Sequence, residues 1–187
     1  MIRLIILFKF FFYSIFLSAQ DESFLIVLGN VQDGGIPHIA CKKDCCMSLT
    51  EKDKRVLKIT SLAFVDKIES KHYLFEASND ITDQLNFLDQ ITGNKSKLEG
   101  IFLTHAHMGH YSGLLQLGRE AMGAKNISVY VMPKMSEFLK SNAPWSQLVS
   151  LNNIKLKSLV ENQSIKVSHQ LDVSSTIVPH RDEFSET

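Results

Sequence analysis

Residues 101–113 read Ile-Phe-Leu-Thr-His-Ala-His-Met-Gly-His-Tyr-Ser-Gly, and this stretch decides how the rest of the chain is read. Gly100–Thr104 has the length and composition of a buried strand, and from His110 to Met122 the apolar positions Leu114, Leu117 and Met122 return at helical spacing. Between the two lie His105, His107 and His110, three imidazoles within six residues. At the end of a strand, residues i and i+2 of a turn can aim at one point while a third turns in from the start of the helix. Neutral imidazole is the commonest metal ligand, and zinc accepts its nitrogens at about 2.0–2.1 Å in tetrahedral sites. The alternative is a run of exposed or hydrogen-bonded histidines. His-x-His-x-x-His after a strand, with Gly113 three residues further on, favours the metal.

Working outward, Ser23–Leu28 is a short apolar run closed by Gly29 and Asn30, a buried-strand pattern. Residues 29–50 read as loop, with Gly34, Gly35, Pro37 and a cysteine cluster. Leu57–Val65 and His72–Phe75 read as a hairpin joined by a charged turn. Apolar residues at 81, 85, 88 and 91 mark one face of a helix over Asp80–Ile91, with Gly93 as its stop. Ile127–Met132 is a strand, and Pro133 opens a helix through Leu139. Ile154–Leu159, Ser164–Val167 and Thr176–Val178 complete a strand-rich second half. Strands first, then strands alternating with helices, indicate a layered α/β fold.

The charge is balanced, 20 Lys and Arg against 20 Asp and Glu over 187 residues, but the balance conceals a split. Met1–Gln20 has a basic start at Arg3, an apolar stretch from Leu4 to Leu17 and then Ser18 and Ala19, the layout of a secretory signal peptide. A membrane anchor needs about 20 apolar residues, and this stretch is shorter and interrupted by Lys9. The expectation is therefore an exported protein, periplasmic or secreted, whose mature domain occupies residues 21–187 and keeps no membrane span. That body carries 18 basic and 20 acidic residues, which provides no electrostatic footprint for nucleic acid.

The segment THAHMGHYSG resembles the metallo-β-lactamase superfamily motif, in which an Asp stands where this chain has Gly109. The wider blocks IFLTHAHMGHYSGLLQLGREAM, VYVMPKMSEFLKSNAPWSQLV and VPHRDEFSET resemble the pyrroloquinoline-quinone biosynthesis protein B family, and VLGN…DGGIPH…C does so more loosely. The resemblance spans residues 24–187. It implies an αββα sandwich with the site at one edge, a first metal held by His105, His107 and His180, and His110 as a ligand to a second. Gly109 can neither ligate nor orient water; the same substitution looks typical of the quinone-biosynthesis subgroup. The superfamily pattern continues beyond the third-ligand block, so the resemblance also implies that the C-terminal part of the fold is missing after Thr187. Zinc is the implied cofactor, as one or two ions, with iron as the alternative.

Cys41, Cys45 and Cys46 lie within six positions, with His38 three residues ahead. Together they match a closed structural zinc site; a disulfide with one free thiol, or three free thiols, are the other readings. Asp182 flanks the third histidine and is a candidate outer partner, because ligand histidines usually donate their second nitrogen to a carboxylate or carbonyl. Asp80 is either a partner near the site or a helix N-cap. His72 and His169 read as surface or half-buried residues, and Trp145 as packing. The function expected is a metal-dependent hydrolase acting on an ester, amide or phosphoester of a small molecule. An iron-dependent oxidative role in quinone-cofactor maturation, or a non-catalytic binding or carrier module, are the alternatives. Nothing in the sequence indicates an oligomeric state.

Overall fold

The structure, a computed structural model, describes residues 22–186; the signal-peptide reading of Met1–Gln20 lies outside them. Six strands form one sheet in sequential order: β1 (Phe24–Gly29), β2 (Ser61–Asp66), β3 (Lys71–Phe75), β4 (Lys97–Phe102), β5 (Ile127–Val131) and β6 (Ile154–Ser158). The first three pair antiparallel and the last three join in parallel. The change of direction follows from the connections. β2 and β3 are linked by a tight turn in which Asp66 Oδ1 accepts the Glu69 N–H at 2.9 Å. Each later strand needs a crossover long enough to return to the same end. Helix α3 (Ile81–Thr92) serves between β3 and β4, and α5 (Pro133–Ser141) with α6 (Trp145–Ser150) between β5 and β6.

Side chains alternate across the sheet with the strand period of two, and both faces are covered. Leu74, Ile101 and Val129 point to one side, into a core with Ile81, Leu88, Leu114, Leu117, Met135 and Leu139 from the helical layer. Tyr73, Phe102 and Tyr130 occupy the other side, where Phe75, Phe102 and Tyr130 stack at centroid separations of 5.0 and 4.4 Å. A two-stranded antiparallel sheet, β7 (Ser164–Lys166) and β8 (Asp172–Ser174), lays Ile165 and Val173 over these rings. Tyr73 Oη donates to Val167 O at 2.9 Å and ties the two layers together. The mixed α/β class is as expected, with the second sheet represented by this hairpin.

Several local expectations are corrected. The span 51–56, immediately before the expected hairpin, is a helix, α2 (Glu51–Val56), following a shorter one, α1 (Asp44–Met47), within the stretch read as loop. α2 starts with a capping box: Asp53 N–H donates to Thr50 Oγ1 at 3.2 Å, and Thr50 N–H donates to Asp53 Oδ2 at 2.9 Å. β2 therefore begins only at Ser61. Thr176–Val178 forms no strand; Ile177 and Val178 are exposed, and β8 lies just before them. The helix expected over His110–Met122 is a single α-turn, α4 (Met108–Tyr111), continued by a 3-10 segment, Ser112–Leu117. His72 is buried, because β3 is covered on both faces and only its end residues, Lys71 and Phe75, are partly exposed. Trp145 packs on Tyr111 and Phe138, as expected.

Candidate metal centre

The histidine turn leaves the C-terminal end of β4, where Leu103 N–H still donates to Tyr130 O at 3.1 Å. The chain then turns at Thr104–His107 and enters α4. Two glycines allow it to lie against its neighbours. A Cβ at Gly113 would lie 2.8 Å from Ala77 O and closer still to Ser78 O. A Cβ at Gly109 would lie 2.5 Å from both Cα and Cβ of Asp33, and closer still to its carbonyl oxygen. Gly113 N–H donates to Ala77 O at 2.9 Å and Ala77 N–H to His110 O at 2.8 Å, which hold the turn over the end of β3.

That end supplies a residue the sequence did not announce. Glu76 follows β3 with a positive φ of 80°, an uncommon conformation for a non-glycine residue. Its side chain is buried under the histidine turn. Thr104 Oγ1 donates to Glu76 Oε1 at 2.6 Å and lies 2.8 Å from His105 Nδ1. A hydroxyl has one proton. With that proton on the carboxylate side, the threonine oxygen accepts from His105 Nδ1–H. This fixes the tautomer of His105 and leaves its Nε2 with a lone pair. Nε2 is buried with no hydrogen-bond partner among the described residues, an orphaned acceptor facing the cluster. Burial first, then the neighbouring His110, His180 and His107, push the His105 pKa down to about 4, so the ring is neutral at pH 7.

Three of the histidines expected as ligands converge. His105, His107 and His180 place their ligand nitrogens within 4.8 Å of one another. His180 Nε2 stands 3.4 Å from His107 Nδ1, and two nitrogens at 2.0–2.1 Å from a tetrahedral zinc would be about 3.3–3.4 Å apart. The orphaned Nε2 and this separation both fit a metal ion. His110 falls into a second, overlapping group with Glu76 and His105. Its Nδ1 is 3.7 Å from Glu76 Oε1 and, although buried, makes no hydrogen bond among the described residues.

Asp182 acts differently from the expectation. Its carboxylate reaches no histidine nitrogen; Oδ2 accepts the Ala106 N–H at 2.7 Å, between the two turn histidines. Phe184 N–H at 2.7 Å, Ser185 N–H at 3.3 Å and the Ser185 hydroxyl complete its shell. Burial alone would raise its pKa; the hydrogen bonds from Ser185, Ala106 and Phe184 outweigh this and hold it at about 2. Asp182 is thus the clasp that brings the segment bearing His180 against the turn. Asp80 lies in neither histidine group and does not cap α3 with its side chain; Oδ2 accepts the Ile59 N–H at 2.8 Å. His169 lies far from the cluster, with its N–H on Glu69 Oε1 at 2.9 Å.

The three cysteine sulfurs come within 4.8 Å of one another and all are free thiols. His38 does not join them: its Nε2 lies against the Gln32 side chain. The loop therefore presents three of the four expected ligands, and no disulfide.

An α/β sheet with histidines gathered at the end of a parallel strand, backed by a carboxylate–threonine relay, defines a candidate metal centre of the β-lactamase type. The family described as β-lactamase superfamily domain matches residues 71–186, more than half of the sequence, and the chain belongs to that superfamily. Among solved structures, zinc-bound PqqB from Methylobacterium extorquens is similar at 22% identity and a TM-score of 0.68, over 84% of this chain and 56% of that one. A diphosphatase of the PhnP family is similar at 24% identity and a TM-score of 0.57, over 78% of this chain and 53% of that one. A metallo-β-lactamase from Staphylococcus aureus follows at 12% identity and a TM-score of 0.51, over 87% and 36%. The chain thus spans about half the length, or less, of the structures it matches. None of the curated proteins matches it significantly by sequence. Among the described residues no helix is long and apolar enough to cross a membrane.

Proposed function

We propose that this protein is a metal-dependent hydrolase-like member of the superfamily, acting on a small molecule bearing an ester, amide or phosphoester. The observation that carries the reading is the convergence of His105, His107 and His180 with the His107–His180 nitrogens 3.4 Å apart. His105 Nε2, His107 Nδ1 and His180 Nε2 would hold the ion; His110 and Glu76 are the nearest candidates for a second. Neutral nitrogens of this kind suit zinc first and also admit iron. When bound, such an ion acts as a Lewis acid that polarises a carbonyl or phosphoryl oxygen. The chain's own part is orientation: Glu76 and Thr104 fix the His105 tautomer, Asp182 fixes the approach of His180, and exposed His180 leaves the cluster open to solvent on one side. The similar PhnP-family diphosphatase makes phosphoryl compounds a sensible first substrate class. Cys41, Cys45 and Cys46 we assign to a structural zinc whose fourth ligand is not His38, and Met1–Gln20 to export, testable by fractionation of cells expressing the tagged protein.

The test is metal content of the purified protein together with turnover of a generic phosphodiester and a generic ester. One equivalent of zinc or iron lost in His105→Ala and His180→Ala, with turnover lost alongside, is the expected result. Metal binding indifferent to both substitutions refutes the centre. Binding without turnover on either substrate would favour the non-catalytic binding reading.

A further inference from the structure

Position 109 lacks a carboxylate, yet a carboxylate stands beside it. Gly109 packs against the backbone of Asp33, so closely that any side chain at 109 would overlap it. The same contact sets Asp33 Oδ2 3.8 Å from His107 Nδ1, the nitrogen that also faces His180. The loop carrying Asp33 is held firmly. Asn30 and Val31 N–H both donate to Lys58 O, at 3.1 and 3.0 Å, and Thr60 N–H donates to Val31 O at 2.8 Å. Gly34 N–H then donates to Gln32 Oε1 at 3.0 Å and Gly35 N–H to Gln32 O at 2.9 Å, turning the chain back immediately after Asp33.

We propose that Asp33 supplies to the metal centre the carboxylate oxygen that position 109 cannot, reaching it from the loop after β1 instead of from the histidine turn. The inference rests on the metal-centre reading above. At 3.8 Å the carboxylate and the His107 nitrogen are too far apart for a hydrogen bond. With its lone pair outward, that nitrogen would repel the carboxylate unless a cation lay between them. Oxygen and nitrogen ligands each about 2.0–2.2 Å from one zinc ion can stand up to about 4 Å apart, so the observed separation is within reach of a shared ion. Three neutral nitrogens bring no charge to a divalent cation; Asp33 would bring the first negative one. Gly109 is then the space that admits the loop, and glycine at 109 and aspartate at 33 belong together.

The experiment is Zn²⁺ competition between the purified protein and a chromophoric chelator, with visible spectra of the Co²⁺-loaded protein as a second readout. Asp33→Asn keeps the backbone against Gly109, so the melting temperature of the metal-free protein should not change. Zn²⁺ affinity is expected to fall about 10–100-fold, the range found when groups supporting a metal site are removed, and the Co²⁺ bands should shift. Asp33→Ala should behave the same way. If Asp33→Asn binds Zn²⁺ as tightly as the parent with the same Co²⁺ spectrum, while His105→Ala still loses one equivalent, the role of Asp33 is refuted and the centre stands. If the parent protein takes up no more Zn²⁺ or Co²⁺ than His105→Ala, the centre fails and the role of Asp33 with it.

Discussion

Replacing Gly109 by alanine probes the packing on which this site is built. The new Cβ would lie 2.5 Å from both Cα and Cβ of Asp33, whereas carbon atoms normally meet at about 3.5–4.0 Å. Roughly 1 Å must be found. Neither side yields easily: the turn is held by the close approach at Gly113, and residues 30–35 by three backbone hydrogen bonds to Lys58 and Val31. Forcing a methyl group into a contact this short, against backbone atoms, costs about 2–3 kcal/mol, the upper part of the usual range. Releasing the loop instead forfeits those bonds at about 1 kcal/mol each, a similar total. Against this stands the gain of alanine over glycine in a helical turn, about 1 kcal/mol. The net loss is then about 1–2 kcal/mol, or a fall in Tm of about 2–8 °C for a chain of this size. Thermal unfolding of the metal-free protein followed by circular dichroism measures it. An unchanged or higher Tm in Gly109→Ala would refute the packing, and with it the route by which Asp33 reaches His107. Gly109→Asp should be worse than alanine, although it restores the aspartate of the superfamily motif.

Thr104→Val removes the hydroxyl between Glu76 and His105; zinc affinity should fall about 10–100-fold, with Thr104→Ser close to the parent by chelator competition. Asp182→Ala leaves the Ala106, Phe184 and Ser185 N–H groups without their shared acceptor. Its zinc affinity should fall by a similar factor, and proteolysis of the metal-free protein should begin within residues 178–186. Burial lowers the His72 pKa from 6.5 to about 4, so the folded state binds fewer protons than the unfolded state between those values. The stability due to neutral His72 is complete above pH 6.5 and is lost as the pH falls toward 4, by up to about 3 kcal/mol. His72→Phe should therefore flatten the dependence of urea unfolding on pH in that window, measured with chelator present. Equal slopes in parent and variant would refute the assignment.

What the sequence reveals of this site is what is local. The strand, the turn and the three histidines lie within ten residues, and one period change from strand to helix places them. Asp182 and His180 are some seventy positions away, and only resemblance to a family connects them to the turn. Glu76 could not be read at all, because its role arises from the parallel pairing of β3 with β4, which sets Phe75 beside Phe102 and so brings Glu76 within reach of Thr104, one position past its register partner. A lone acidic residue directly after an apolar strand run was the available signal. The same pairing explains the error at His72: alternation suggests a wet face only where a strand has one, and β3 is covered on both. The strand read from Leu57 is present and pairs with β3 but is shorter than read: Leu57 caps the end of α2, Ile59 makes only an isolated bridge to Val31, and β2 begins at Ser61.

The candidate centre therefore depends on three chain segments that meet only in the folded state, and they are held with unequal strength. The histidine turn is half-buried, the end of β3 is buried, and the two are bonded to each other. The segment bearing His180 is largely exposed and rests on a few anchors. Asp182 accepts from Ala106, Phe184 stacks on Phe138 at 5.1 Å, and the Glu186 carboxylate accepts the Lys134 and Met135 N–H groups at the start of α5. Segments with few buried apolar contacts open first, so loss of His180 from the cluster requires no disturbance of the sheet. An ion held by all three histidines would bind only the docked arrangement, and its binding free energy would appear as docking free energy of residues 178–186. The third ligand is thus the one through which metal occupancy and local order are coupled, and Asp182 sets how much of that order exists before an ion arrives.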